Sequence, residues 1–149
     1  MVFAANGNAG QVSDTESPAD GEFVMSVGGV RTSDGTFWSS NVPGDGRSDH
    51  IKPDILAPTE FVTSSAASDT ATSFFSGTSA STPMAAGAAT LVRNLWRVAM
   101  NKVPDPGRIY SFVILFGSRS SVFGNTRGAG TLHLPTFPPT FNLLSTGKV

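Results

Sequence analysis

The chain has 149 residues, of which only 14% are charged, and its formal net charge is −1 at pH 7. Globular proteins average about 25% charged residues, so this composition excludes acidic or basic tails and the highly charged class of disordered proteins. A nearly neutral chain also offers no electrostatic footprint for nucleic acid. Because cysteine is absent, disulfides, thiolate metal ligands and a cysteine nucleophile are excluded as well.

The first half of the sequence predicts short buried strands separated by polar connections. Strands are expected where apolar runs are bounded by Gly, Asn or Pro turn signals, at Met1–Ala5, Phe23–Val30 and within Ile51–Pro58. The connections are Gln11–Glu22, Arg31–His50 and Thr59–Thr72. No apolar run exceeds five residues, which predicts no membrane-spanning segment. Met1 also lacks the charged and long apolar regions of a secretory signal.

A long helix is predicted in the second half. Pro83 suits a helix first turn, and Met84–Met100 then carries Ala, Leu, Val and Trp with Gly87 as the only breaker. A further apolar segment, Ile109–Phe116, follows the break at Pro104–Gly107. Strands, glycine turns and helices in this order favour an α/β fold with a parallel sheet.

The segment Ser76–Pro83, with the sequence SGTSASTP, is the most informative for chemistry. A serine hydroxyl becomes a nucleophile only when a base takes its proton and the surroundings stabilise negative charge. Ser79 follows a glycine and precedes the predicted helix, so helix N-terminal N–H groups would point at the reacting centre. On these residues alone, a Ser/Thr-rich turn that caps a helix is the favoured interpretation.

The wider sequence favours the nucleophile interpretation, because SGTSASTP and the Ala/Gly-rich helix resemble the nucleophile region of the subtilisin-like serine peptidases, the subtilase family. Four further segments resemble other parts of the same family and occur in the same order along the chain. The other segments are VFAANGNAG at residues 2–10, VMSVGGV at 24–30, IKPDILAP at 51–58 and GAGTL at 128–132. The resemblance therefore covers residues 2 to about 134, and it implies part of a doubly wound parallel sheet with a long central helix that starts at the nucleophile.

The resemblance also implies roles for individual residues. Ser79 would be the nucleophile, and Asn8 would donate to the oxyanion together with the Ser79 N–H, with the Thr78 hydroxyl in support. Substrate would bind at Gly77 and Thr78 and along a pocket wall formed by Ala5, Asn6 and Gly7. A cis Ser17–Pro18 bond would place Glu16 at the pocket floor, where a carboxylate would favour Lys or Arg. Peptides or proteins would be the substrates, with no cofactor and no metal.

The histidine base and the orienting aspartate of such an enzyme are not evident in this sequence. In subtilases both precede the oxyanion asparagine, whereas the two histidines here, His50 and His133, follow it. The same holds for Asp14, Asp20 and Asp54. We therefore expect residues 1–135 to be the C-terminal half of a catalytic domain and 136–149 a tail. The missing half is a candidate partner, and the resemblance implies secretion or a cell-envelope location.

Two alternatives remain open at this stage. One is a non-catalytic remnant or interaction module that keeps the half-fold and performs no hydrolysis. The other is a sedolisin-type peptidase, whose nucleophile motif also contains Ser-Gly-Thr-Ser but whose base is a glutamate and whose oxyanion residue is an aspartate. The Ala-Asn-Gly-Asn-Ala-Gly sequence around Asn8 favours subtilases over sedolisins.

Overall fold

A computed structural model describes residues 1–10, 14–44, 51–118, 124 and 126–134 of the chain. In chain order the elements are β1 (Val2–Ala5), β2 (Val24–Arg31), β3 (Ile55–Thr59), β4 (Phe61–Ser64), β5 (Thr72–Phe75), α1 (Thr78–Met100), α2 (Pro106–Leu115), β6 (Gly117–Ser118) and β7 (Thr131–Leu132). The main sheet has the order β1-β2-β3-β7-β6, in which β1, β2, β3 and β7 are parallel and β6 is antiparallel. The predicted parallel α/β architecture is confirmed.

Helix α1 lies on the sheet and packs against β1, β2 and β3. It begins at Thr78, so the prediction that Pro83 occupies the first turn is wrong: Pro83 lies inside the helix. A proline inside a helix removes the N–H bond to the carbonyl four residues earlier, here that of Ser79, and its ring crowds the same carbonyl. No helix in the described part of the chain is long and apolar enough to span a membrane.

Helix α2 packs against α1 and has a well-formed N-terminus. The Asp105 carboxylate accepts a hydrogen bond of 2.9 Å from the Arg108 backbone N–H, and Pro106 occupies the first helical position, where no N–H is needed. The same hydrogen bond lowers the pKa of the Asp105 carboxyl. The apolar segment Ile109–Phe116 is therefore helical over most of its length.

The core forms between the helices and one face of the sheet. Because side chains alternate along a strand, every second residue of β2 and β3 faces α1 and α2. These are Met25 and Val27 on β2 and Ile55 and Ala57 on β3, and they share one buried cluster with Ala85 and Ala89 of α1. The buried cluster consists of Met25, Val27, Ile55, Ala57, Ala85, Ala89, Val92, Ile109, Val113 and Ala129.

Two sequence-based expectations need correction. The segment Thr59–Thr72 is not a plain loop, because β4 and β5 form an antiparallel hairpin in which Phe61 and Phe75 make an edge-to-face contact. Strand β1 is not fully buried either, since Val2 is 55% exposed. In the described part of the chain β1 is the first strand of the sheet, so one of its hydrogen-bonding edges has no neighbouring strand.

Candidate active site

Ser79 lies in the first turn of α1 with its side chain exposed. The helix follows Gly77, whose φ of 92° is a conformation that favours glycine. The first-turn N–H groups of Ala80 and Ser81 both donate to the Gly77 carbonyl, and that of Thr78 donates to Asn8. The Ser79 N–H has no acceptor among the described residues, so it is available to a ligand beside the Ser79 hydroxyl.

Asn8 lies three residues after the end of β1, and its side chain contacts the start of α1. Its Oδ1 accepts from the Thr78 backbone N–H and from the Thr78 hydroxyl, each at 2.9 Å. A backbone N–H can only donate, so the side-chain oxygen must face Thr78 and the NH2 group must point away from it. Asn8 is exposed. The arrangement therefore presents an amide donor to solvent beside the Ser79 backbone.

The glycine at position 77 allows the Asn8 side chain to lie close to the backbone before Ser79. A Cβ on Gly77 would lie 3.3 Å from Asn8 Oδ1 and 3.5 Å from Nδ2, so any larger residue would press on the amide. The Gly77 carbonyl also accepts a bond of 2.9 Å from the buried Thr59 hydroxyl at the end of β3. The backbone before the serine is thereby tied to the sheet.

Two of the three residues expected to form the pocket wall, Ala5 and Asn6, have side chains that are partly or fully buried. Ala5 ends β1, and its side chain is partly buried. Asn6 is fully buried: its NH2 donates to the Val42 carbonyl, and its Oδ1 accepts from the hydroxyls of Thr15 and Ser26. The backbone N–H of Asn6 donates to the Val27 carbonyl, and its carbonyl accepts from the Glu16 N–H.

Glu16 lies beside Gly7. A Cβ on Gly7 would be 3.1 Å from Glu16 Oε1, and Gly7 has a φ of 118°. The Glu16 N–H donates to the Asn6 carbonyl over 3.3 Å, and the Glu16 side chain is exposed. The Ser17–Pro18 bond is cis, as expected from the resemblance. The structure thus brings Glu16 to the segment that ends in Asn8.

No base for Ser79 is found among the described residues. His133 is exposed after β7, and its backbone N–H donates to the Phe116 carbonyl. His50 lies outside the described residues. Asp54 is occupied by buried hydrogen bonds. In the described part of the chain, no cluster of three acidic, histidine or cysteine side chains could hold a metal ion.

Sequence reasoning did not find two features of this region. One is the part of Thr78 in orienting Asn8, because the hydroxyl was expected to face the oxyanion. The other is Lys52, a buried lysine bonded to Asp54. The available signal was the sequence Lys-Pro-Asp at residues 52–54, since a lysine buried beside a core strand needs an anionic partner and an aspartate follows two residues later.

Comparison with known proteins supports the fold and the peptidase class. The family profile of Peptidase S8, the subtilase family, matches residues 1–102. A search of curated protein sequences finds no match. Among solved structures, the prenylagaramide maturation protease PagA is 25% identical with a TM-score of 0.73, covering 89% of this chain and 47% of its own. The self-cleaved protease domain of PatA is 27% identical with a TM-score of 0.72 and the same coverages, 89% and 47%.

The CspB protease of Clostridium perfringens is similar at 25% identity and a TM-score of 0.66, over 80% of this chain and 27% of its own. The chain therefore spans less than half the length of these proteases. The family profile covers more than half of the chain, and the sheet and the long helix superpose on protease structures. The chain belongs to the subtilase family of peptidases.

Proposed function

We propose that the chain carries the nucleophile and the oxyanion donors of a serine endopeptidase. The observation that carries this proposal is the arrangement of Asn8, Thr78 and Ser79: an exposed serine hydroxyl, an unoccupied backbone N–H on the same residue, and an amide whose oxygen is held by Thr78. A Ser/Thr-rich turn that only caps a helix would need neither the Asn8 NH2 donor nor the fixed orientation that Thr78 gives it.

The reaction follows from these groups. A base takes the Ser79 proton as Oγ attacks the substrate carbonyl, and the C–N bond breaks after the amine is protonated, leaving an acyl-enzyme that water hydrolyses. Negative charge on the carbonyl oxygen is met by the Asn8 NH2 and the Ser79 N–H. In subtilisin, loss of one such donor lowers kcat by about 10²–10³-fold. Peptides or proteins are the substrates that the family implies.

The base must come from outside the described residues, and in subtilases a histidine and an aspartate ahead of the oxyanion asparagine supply it. We propose that this chain works with a polypeptide of that kind, joined to it or separate. Two surfaces fit such a partner. One is the open edge of β1, next to a cavity of about 340 Å³ lined by Met1, Phe3, Ala86, Ala89, Thr90, Arg93, Pro104, Pro106 and Ile109.

The second surface is an exposed apolar stripe on α1. Met84, Leu91 and Val98 are spaced by seven residues and are 47%, 61% and 41% exposed. Between them lies Gly87, where a Cβ would meet nothing within 4 Å. A helix packing on this stripe could approach closely at the glycine. The stripe begins in the turn after Ser79, so such a helix would lie near the nucleophile.

The test is covalent labelling with a fluorophosphonate, which reacts with activated serines. The chain is assayed alone and together with the polypeptide encoded upstream of Met1, if a reading frame there encodes the aspartate and histidine segments. We expect labelling only in the complete assembly, with Ser79→Ala abolishing it and the neighbouring Ser76→Ala leaving it intact. Absence of label in the complete assembly, or absence of any such frame, would favour the non-catalytic remnant.

A further inference from the structure

The peptide unit between Gly77 and Thr78 is hydrogen-bonded on both of its edges. Its carbonyl oxygen, on Gly77, accepts from the Thr59 hydroxyl over 2.9 Å, and its N–H, on Thr78, donates to Asn8 Oδ1 over 2.9 Å. A trans peptide is planar, and its C=O and N–H point in opposite directions. The two side chains therefore oppose rotation of this peptide plane from opposite sides.

The bond from Thr59 is additional to those that begin the helix. The Gly77 carbonyl accepts from the N–H groups of Ala80 and Ser81 over 3.0 and 3.4 Å, and these bonds belong to the first turn of α1. Gly77 provides no side-chain cap. Since glycine has the widest range of backbone conformations, its peptide plane is the one in this segment that most needs an outside partner.

The Thr59 side chain is held in the rotamer that makes this bond. It is fully buried at the end of β3. A Cβ on Gly29 would lie 3.0 Å from Thr59 Cγ2, so the methyl group occupies the space beside this glycine of β2. A β-branched side chain is stiff about χ1. With the methyl group packed over Gly29, the hydroxyl is directed at the Gly77 carbonyl.

The backbone of Thr59 is fixed as well. Its carbonyl accepts from the backbone N–H and the hydroxyl of Thr32. The next residue, Glu60, has a φ of 63°, which is uncommon for a residue other than glycine. The Glu60 carboxylate accepts from the Trp38 indole N–H over 3.1 Å and lies 3.4 Å from Arg31 Nε. These contacts hold the chain on both sides of the Thr59 hydroxyl.

We propose that Thr59 is a positioning residue for the oxyanion site. Its hydroxyl fixes the Gly77–Thr78 peptide plane, and the Thr78 N–H of that plane fixes the direction of the Asn8 NH2. Preorganised donors stabilise a transition state because they need no reorientation during the reaction. This role rests on the proposed function, because it requires Asn8 to act as an oxyanion donor.

The test separates the hydroxyl of Thr59 from its bulk. Thr59→Val keeps the methyl group over Gly29 and removes the hydroxyl, Thr59→Ala removes the hydroxyl without adding apolar bulk, and Thr59→Ser keeps the hydroxyl. Thr32→Val is the matched control, because it removes a hydroxyl that donates to the Thr59 carbonyl and not to Gly77. For each variant the amide hydrogen exchange of the chain is measured by NMR, and kcat and KM are measured in the complete peptidase.

We expect the Thr78 amide to exchange roughly 2–10-fold faster in Thr59→Val and Thr59→Ala, because its acceptor geometry is no longer fixed. The Ala80 amide, which belongs to the helix itself, should keep its rate. In the peptidase, kcat should fall by a similar factor with KM changed less than about twofold, since the oxyanion forms only in the transition state. Thr59→Ser and Thr32→Val should stay close to the original chain in both measurements.

Several results would overturn the proposal. An unchanged Thr78 exchange rate in Thr59→Val and Thr59→Ala would show that the hydroxyl does not fix the peptide plane. An equal rise for Thr78 and Ala80 would show a general loss of stability, and a Thr59→Ser variant as impaired as Thr59→Val would assign the effect to the methyl group.

The kinetic result distinguishes this role from the proposed function. An assembly that is inactive even with the original chain would contradict the proposed function and leave the exchange result intact. An active assembly in which Thr59→Val speeds Thr78 exchange without lowering kcat would show that the peptide plane does not position Asn8.

Discussion

Thr78 directs both its backbone N–H and its hydroxyl at Asn8 Oδ1, each over 2.9 Å, although the two residues are 70 positions apart in the chain. The bonds join the end of β1 to the start of α1. An amide held through its oxygen by two donors has a fixed NH2 direction, which is what a preorganised oxyanion donor requires. Thr78 is thus a positioning residue in the proposed site.

Replacing Thr78 by valine should weaken this orientation while keeping the side-chain shape and the backbone N–H. One hydrogen bond is worth about 0.5–1.5 kcal/mol, so we expect kcat of the complete peptidase to fall roughly 2–10-fold with little change in KM. Thr78→Ser retains the hydroxyl and should stay close to the original activity. Equal losses in the two variants would show that the hydroxyl does not orient Asn8.

The sequence was sufficient to place β1, β2, β3 and the long helix along the chain, because each depends on a local pattern. Apolar runs bounded by Gly, Asn or Pro became β1, β2 and β3, and the Ala-rich segment became α1. The start of α1 was misplaced because proline is typical of a helix first turn, whereas the helix follows Gly77 and begins at Thr78, five residues before Pro83. The hairpin of β4 and β5 was missed because half of its strand residues are Ser or Thr, which also fit a polar loop.

The candidate site was harder to obtain from local patterns. Asn8 and Ser79 could be paired only through resemblance to a family, because parallel strand pairing and helix packing bring them together. The Asn6 side chain points into the protein interior because its hydrogen-bond partners, Val42, Thr15 and Ser26, come from three other segments of the chain. Such long-range polar contacts leave no periodic trace in a sequence.

Tyr110 is the chain's only tyrosine, so its titration can be followed directly by phenolate absorbance. Burial raises its pKa above the ordinary value of 10, and the hydrogen bond to Asp54 raises it further. The unfolded chain releases the phenol proton near pH 10 and the folded chain does not. The stability gained from the neutral phenol is therefore complete below pH 10 and declines as the pH rises above it.

Tyr110→Phe should remove that alkaline decline. The variant loses the bond to Asp54 and is expected to be less stable by about 1 kcal/mol at neutral pH, but its denaturant midpoint should fall less steeply above pH 10 than that of the original chain. Identical slopes in the two proteins, or a phenolate that appears at pH 10 without unfolding, would contradict the buried Tyr110–Asp54 bond.

Ser81 has a buried hydroxyl with no partner among the described residues. The nearest acceptor in a helix would be the Gly77 carbonyl, which already accepts from Ala80, Ser81 and Thr59. Ser81→Ala removes an unsatisfied polar atom and improves helix propensity, so we expect a gain of about 1 kcal/mol. Thr82→Ala, which loses a hydroxyl bonded to the Thr78 carbonyl, should give no such gain. A lower unfolding midpoint for Ser81→Ala would show that the hydroxyl has a partner.

Glu16 provides the last prediction, which concerns substrate selection. Its carboxylate lies beside Gly7 on the segment leading to Asn8, so a Lys or Arg before the scissile bond could pair with it, while an acidic residue would be repelled. A hydrogen bond to a charged group contributes about 1.5 kcal/mol or more, which is roughly tenfold. In the complete peptidase, Glu16→Gln should therefore lower the ratio of kcat/KM for lysyl over leucyl substrates by about that factor. Glu22→Gln, an exposed carboxylate in the same connection, is the matched control and should leave the ratio unchanged. An unchanged ratio in Glu16→Gln would place this carboxylate outside the pocket.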